Sequence, residues 1–375
     1  MLIENVMYFG EDFRFHFGDI TVKDGRFERI EEKQRPDNES CDFMIPGLVD
    51  IHLHGNSGED FSDGSYGGLV RMARFLARAG TTSFSPASMT LPEETIAAAC
   101  RNAARLYGDP PEGCARLCGV TMEGPFFNEK KKGAQNAAYL RKPDVGAFRR
   151  LQSAAGGLIR IACVAPELEG AADYIREVCK TGVTVSAAHT GAAYDEAAAG
   201  FDAGITHVTH LFNAMPPLLH REPSVIGAAS ERDSVTAELI CDGIHVHPGA
   251  VRAAFKLFGD SRICFVSDAM AACGLADGES MLGGQKVYIR GGRATLADGT
   301  IAGSVATLLE CLKSAVSMGI PAEAAVRCAT ANPARVIGAN DIGRIAAGTQ
   351  ADFLICGSGW ALKNVYIAGN RIERT

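Results

Sequence analysis

The chain has 375 residues, 47% hydrophobic and 22% charged, with a formal net charge of −7, and its isoelectric point is near 5.8. That acidity disfavours nucleic acid as a partner, and no apolar run approaches the ~20 residues that span a bilayer. The 12 cysteines form no C-x-x-C pair, so they read as reduced thiols of a cytoplasmic protein.

Residues 1–45 read as short strands joined by turns, with Asp24-Gly25 as a hairpin signal. The last stretch, 341–375, reads the same way, so the two termini are expected to pair into one small β-sandwich. Between them, 46–340 alternates strand and helix. "FMIPGLVD" is the first strand and "TTSFSPASMT" the second, followed by a helix from Pro92 to about Tyr107. "LCGVTM", "LIRIACVAPE", "VTVSAA", "ITHVT", "VTAELICDGIHV" and "RICFVS" complete eight. Eight strands with intervening helices suit a closed (β/α)8 barrel of the TIM type, an α/β fold, better than an open sheet. A Gly-rich insertion, 269–300, is a candidate cover for the site, and two helices follow, the second starting at Pro321.

The chemistry-bearing residues fall where that barrel would gather them. His52 and His54, Glu123, His189, His210 and Asp268 each follow one of these apolar runs. Strand C-terminal ends converge on one face of such a barrel, so ligands far apart in sequence meet there. The alternating His52 and His54 point the same way. Imidazole nitrogen suits zinc, with iron, cobalt and manganese as alternatives. Glu123, His189 and His210 make a His2Glu set, and Glu123 can also bridge to a second ion. Asp268 can take a proton from water and deliver it to a leaving group; Glu167 is the second choice for that role. His207, three before His210, is expected on the opposite strand face, packed between strand and helix. His245 at the end of strand seven is expected to bind substrate, and Arg221 offers a planar fork for phosphate.

The segments "PGLVDIHLHG", "MEGPFFNEKKKGAQN", "AHT", "THLFNAMPPLLHREP", "DGIHV", "SDA", "IAGS" and "ATANPARVIG" resemble the N-acetylglucosamine-6-phosphate deacetylases of the amidohydrolase superfamily. The resemblance covers essentially the whole chain and implies hydrolysis of the acetamide of a phosphorylated amino sugar. It implies that Glu123, His189 and His210 are the principal metal ligands and Asp268 the acid/base. It further implies that Asn213, Ala214, Arg221 and His245 contact the sugar phosphate, and that Ala134 with Ile301, Ala302 and Gly303 lines the sugar and acetyl pocket. Gln135 stands where other members carry His, and its amide can still bond the sugar. His52 and His54, which some members replace, remain here, so one or two ions fit. A homodimer is implied, with a neighbour's residue completing the phosphate pocket. Two alternatives are an amidohydrolase acting on a cyclic amide and a non-catalytic sugar-phosphate-binding barrel. The first is disfavoured because strand four ends "CVAPE" without the bridging Lys such enzymes use, the second because every ligand and Asp268 are present.

Overall fold

The computed structural model describes residues 1–36 and 41–373. Eight parallel strands form the barrel: Leu48–Asp50, Thr81–Phe84, a third in two pieces (Arg116–Leu117 and Val120–Met122), Ile159–Val164, Thr184–Ala187, His207–Val208, Thr236–Leu239 and Ile263–Phe265. The ring closes between strands one and eight. There the Asp268 amide donates to His52 O at 2.9 Å and the His54 amide to Ala269 O at 2.7 Å. Helices such as Tyr66–Ala79, Glu93–Gly108, Tyr194–Ala203 and Pro248–Phe258 surround it. Alternation divides the strand side chains into two layers. Val49, Ile51, Ile161, Cys163, Ile240, Cys264 and Val266 plug the barrel interior, whereas Leu48, Phe84, Val208 and Leu239 pack outward into the large helix-facing core.

Strands from both termini form one seven-stranded sheet, in the order Asn370–Arg371, Leu362–Ile367, Phe353–Cys356, Phe43–Pro46, Leu2–Phe9, Phe15–Lys23, Arg26–Glu32. It encloses its own core of Val6, Ile20, Phe27, Met44 and Phe353, the small sandwich beside the barrel. Asp24 and Gly25, both at positive φ (50° and 74°), make the tight hairpin that their identity signals.

Three expectations change in detail. "FMIPGLVD" is two strands rather than one. Its first half pairs in the terminal sheet and its second in the barrel, and a Cβ at the intervening Gly47 would lie 2.0 Å from Thr82 Oγ1. The helix from Pro321 breaks at Thr330 (φ −134°, ψ −83°) into Ala322–Ala329 and Ala331–Val336. Pro333 sits in the first turn of the second helix, where its missing N–H would have had no intrahelical partner. The insertion after Asp268 is ordered, an antiparallel sheet of Gly278–Leu282, Gln285–Arg290 and Arg293–Thr295. Leu282, Val287, Ile289 and Ala294 pack on Met89, Met270 and Ala302.

Candidate active site

Each sequence-predicted ligand lies within four residues of the end of a barrel strand, on one face. His189, His210 and Asp268 all have left-handed backbone, at φ 45°, 30° and 47°. Non-glycine residues rarely adopt this conformation, and where they do the strain commonly serves a site. Here it turns each side chain sharply inward at the point where strand pairing ends.

Two triads result, one of Glu123, His189 and His210 and one of His52, His54 and Asp268, with the ligand atoms of each within 4.8 Å of one another. In the first, Glu123 Oε1 is 3.1 Å from Nε2 of both His189 and His210, and those two nitrogens are 3.2 Å apart. In the second, Asp268 Oδ1 is 3.3 Å from His54 Nε2 and 3.8 Å from His52 Nε2. Glu123 spans both, its Oε2 lying 3.2 Å from His54 Nε2. All six residues are buried.

The donor set fits divalent cations. His52 Nε2 is buried without a hydrogen-bond partner, and its Nδ1 is engaged by Glu238 at 2.9 Å, which leaves the Nε2 lone pair toward the Glu123 and Asp268 carboxylates, at 3.5 and 3.8 Å. Burial alone would lower the His54 pKa, but the Asp268 and Glu123 carboxylates outweigh it and push the imidazole up to about 10. Burial likewise opposes ionisation of Glu123, yet the imidazoles of His52, His189 and His210 hold its carboxyl well below the usual range. Asp268 is depressed against its burial by His54 and His52. The pocket therefore favours positive charge beside ionised carboxylates, which a metal ion on neutral imidazoles supplies.

Above the triads opens a cavity of about 270 Å3 lined by His54, Glu123, His189, His210 and Asp268, and by the predicted Ala134, Gln135, Asn213, Ala214, His245, Ile301 and Gly303. Leu282 of the inserted sheet and Met89 also line it, and Gln285 Nε2 donates to Ala134 O at 2.5 Å, fastening the sheet to the rim. The segment around Gly303 is docked on strand eight, with the Ser304 amide on Asp268 O at 2.7 Å. A Cβ at Gly303 (φ +68°) would approach that oxygen to 3.1 Å. Ala302 is buried behind the cavity wall, in the cluster under the inserted sheet.

The polar groups are committed to different degrees. His245 is held through Nδ1 by Asp242 Oδ2 at 2.7 Å, and this contact raises its pKa against the effect of burial. The Asn213 amide nitrogen is spent on His210 O and Leu211 O at 3.2 and 3.3 Å, fastening the turn that carries His210. Gln135 lines the cavity as expected, but its amide is engaged within the protein. Its Oε1 accepts the Thr90 amide at 2.7 Å and its Nε2 donates to Glu123 Oε2 at 2.8 Å, so its side chain orients Glu123. Arg221 is not brought to the cavity of its own chain. It is exposed and lies 2.8 Å from His220 Nε2. Glu167 holds Asn128, Thr190 and the Gly191 amide, and does not line the cavity.

His207 departs from expectation. It is fully buried inside the barrel, with Nε2 3.2 Å from Glu238 Oε1 and Nδ1 2.6 Å from Thr236 Oγ1. Strict alternation would place His207 and His210 on opposite faces, but the left-handed turn at His210 breaks alternation and sends both inward. Glu238, beneath His52, is a functional candidate that sequence reading missed; the available signal was one acid inside the apolar run "VTAELIC".

Fold and site together define a barrel hydrolase of the metal-dependent type. Residues 43–372 match the model of the amidohydrolase family, and the chain belongs to that family. It is 37% identical over 319 residues to N-acetylglucosamine-6-phosphate deacetylase of Bacillus subtilis (83% of this chain, 81% of that one). It is 32% identical to N-acetylgalactosamine-6-phosphate deacetylase of Escherichia coli O157:H7 (88% and 87%). N-acetyl-D-glucosamine-6-phosphate deacetylase of Mycobacterium smegmatis, an aspartate-to-alanine mutant solved with N-acetyl-D-glucosamine-6-phosphate, superposes with a TM-score of 0.92 at 32% identity over 99% of each chain. Within the amidohydrolases, the chain falls in this deacetylase branch. Among the described residues no helix is long and apolar enough to cross a membrane.

Proposed function

We propose that this chain hydrolyses the acetamide of N-acetylglucosamine 6-phosphate, releasing acetate and glucosamine 6-phosphate. The observation that carries the reading is Asp268, a carboxylate of one ligand triad set beside the other on the floor of a cavity of about 270 Å3. Glu123, His189 and His210 would hold one divalent ion, and His52 and His54 with Asp268 a second; zinc suits these donors, as do iron, cobalt and manganese. When bound, such an ion polarises the acetyl carbonyl and lowers the pKa of water. Asp268 takes the proton of the attacking water and returns it to the departing amine, since an amide needs both a base and an acid. Gln135 and Glu238 hold Glu123 and His52 in line.

His245, anchored on Asp242, donates to the phosphate, and the turn at Asn213 and Ala214 carries the sugar phosphate beside it. Ala134 and Ile301, Ala302 and Gly303 shape the wall around the sugar and acetyl group. Arg221 is exposed and does not line its own cavity, so it serves the phosphate of a neighbouring subunit in a homodimer. The division of labour assigns binding and chemistry to residues 46–340, with 1–45 and 341–375 as the sandwich. The protein works in the cytoplasm.

Acetate release tests the reading. Zinc-loaded protein should deacetylate N-acetylglucosamine 6-phosphate at least tenfold more efficiently than unphosphorylated N-acetylglucosamine. The galactosamine epimer belongs in the same panel, because one relative acts on it by name. Release from neither phosphorylated sugar would refute the assignment.

A further inference from the structure

Glu238 lies on strand seven with no exposed surface, and no Lys or Arg is among its hydrogen-bond or ion-pair partners among the described residues. A buried carboxylate without compensation is expensive, so its partners indicate what it is kept for. Oε2 receives two donors, His52 Nδ1 at 2.9 Å and the backbone amide of His210 at 3.0 Å. Oε1 faces His207 Nε2 at 3.2 Å, and His207 is itself braced on Thr236.

Each contact acts on a residue of the site above. A proton held on Nδ1 by a carboxylate fixes the imidazole tautomer and leaves Nε2 as the lone-pair donor. In His52 that nitrogen lies 3.5 Å from Glu123 Oε1 and 3.8 Å from Asp268 Oδ1 and has no hydrogen-bond partner. The same oxygen pins the strained His210 backbone at φ 30°. One carboxylate thus sets a ring of one triad against the turn that carries a ligand of the other.

We propose that Glu238 is the positioning residue of the second cation site. It aims His52 at an ion shared with His54 and Asp268, and it fixes the spacing of that site from the Glu123, His189 and His210 site. The proposal rests on the two-ion reading above, and its test separates the two.

Metal-free full-length protein is titrated with Zn2+ against a chromophoric chelator, alongside kcat and KM. Wild type should bind two ions and His52→Asn one. Glu238→Gln should keep the first ion at wild-type affinity and weaken the second by about ten- to a hundredfold, as loss of such outer partners does. Its kcat should fall while KM stays within about threefold. Glu238→Ala should bind one ion; should it fail to fold, the Gln variant decides alone. In a His52→Asn background, Glu238→Gln should lower kcat by a smaller factor than it does in wild type, because the part of its action that runs through His52 is already lost. Wild-type second-ion affinity in Glu238→Gln overturns the proposal, as does equal weakening of both ions, which would make Glu238 a general support. A wild type that binds one ion overturns the two-ion reading and the proposal with it.

Discussion

The two triads share Glu123 but are built differently. Glu123, His189 and His210 come from three strand ends and meet at one carboxylate oxygen, with contacts of 3.1, 3.1 and 3.2 Å. In the other, His52 and His54 share one strand end and Asp268 closes the set more loosely, at 3.3 and 3.8 Å. The tight triad is braced at each ligand, by Gln135 on Glu123, Lys131 O on His189 Nδ1 and Glu238 on the His210 amide. The looser one depends on the carboxylate beneath it and includes the residue proposed to move protons. Under the proposed function, the tighter set would retain an ion and the looser one would place charge beside the reacting bond.

The largest effect expected from breaking this comparison comes at Glu123. Glu123→Ala removes the shared carboxylate, so zinc content should fall to background and acetate release should vanish; a variant with full zinc and wild-type rate would dissolve the distinction. His52→Asn/His54→Asn should be milder, losing one zinc equivalent and keeping the other. Elemental analysis decides this, and an unchanged metal-to-protein ratio would place the second ion elsewhere. Arg221→Ala removes a charge-assisted bond worth about 1.5–3 kcal/mol, so kcat/KM on the phosphorylated sugar should drop about ten- to a hundredfold with little change on the neutral sugar. Equal losses on both would make Arg221 structural. Smallest, Gln135→Leu leaves the buried Thr90 amide unpaired and Glu123 Oε2 with only His54, about 1–3 kcal/mol in total stability. The melting temperature should fall by a few degrees with one zinc retained, and an unaltered melting temperature would contradict the bracing role.

The ligands were legible because each follows an apolar run, and parallel strands bring such ends together whatever their separation in sequence. The barrel and the paired termini were legible for the same reason, from periodicity and turn residues. What escaped was set by backbone that departs from its period. Left-handed φ at His210 broke the alternation and let it share the inward face with His207, and Gly47 divided one apolar run between two sheets. The contacts of Gln135 with Thr90 and Glu123 were not legible because these partners are 45 and 12 residues away, and no local pattern encodes such contacts. Arg221 carries the right chemistry for phosphate, but spacing alone could not say whose cavity it serves.

Asp268→Asn tests the central claim most directly, with zinc content and acetate release measured on the same sample. The amide keeps the shape of the carboxylate and removes its basicity. General acid–base help is worth about 10² to 10⁴-fold, and Asp268 is assigned both proton transfers. The expected result is a kcat loss of at least ~10³-fold with zinc bound to the Glu123, His189 and His210 set and substrate binding still measurable. A variant within tenfold of wild type, with its zinc intact, would contradict the account and move the proton transfers to another residue.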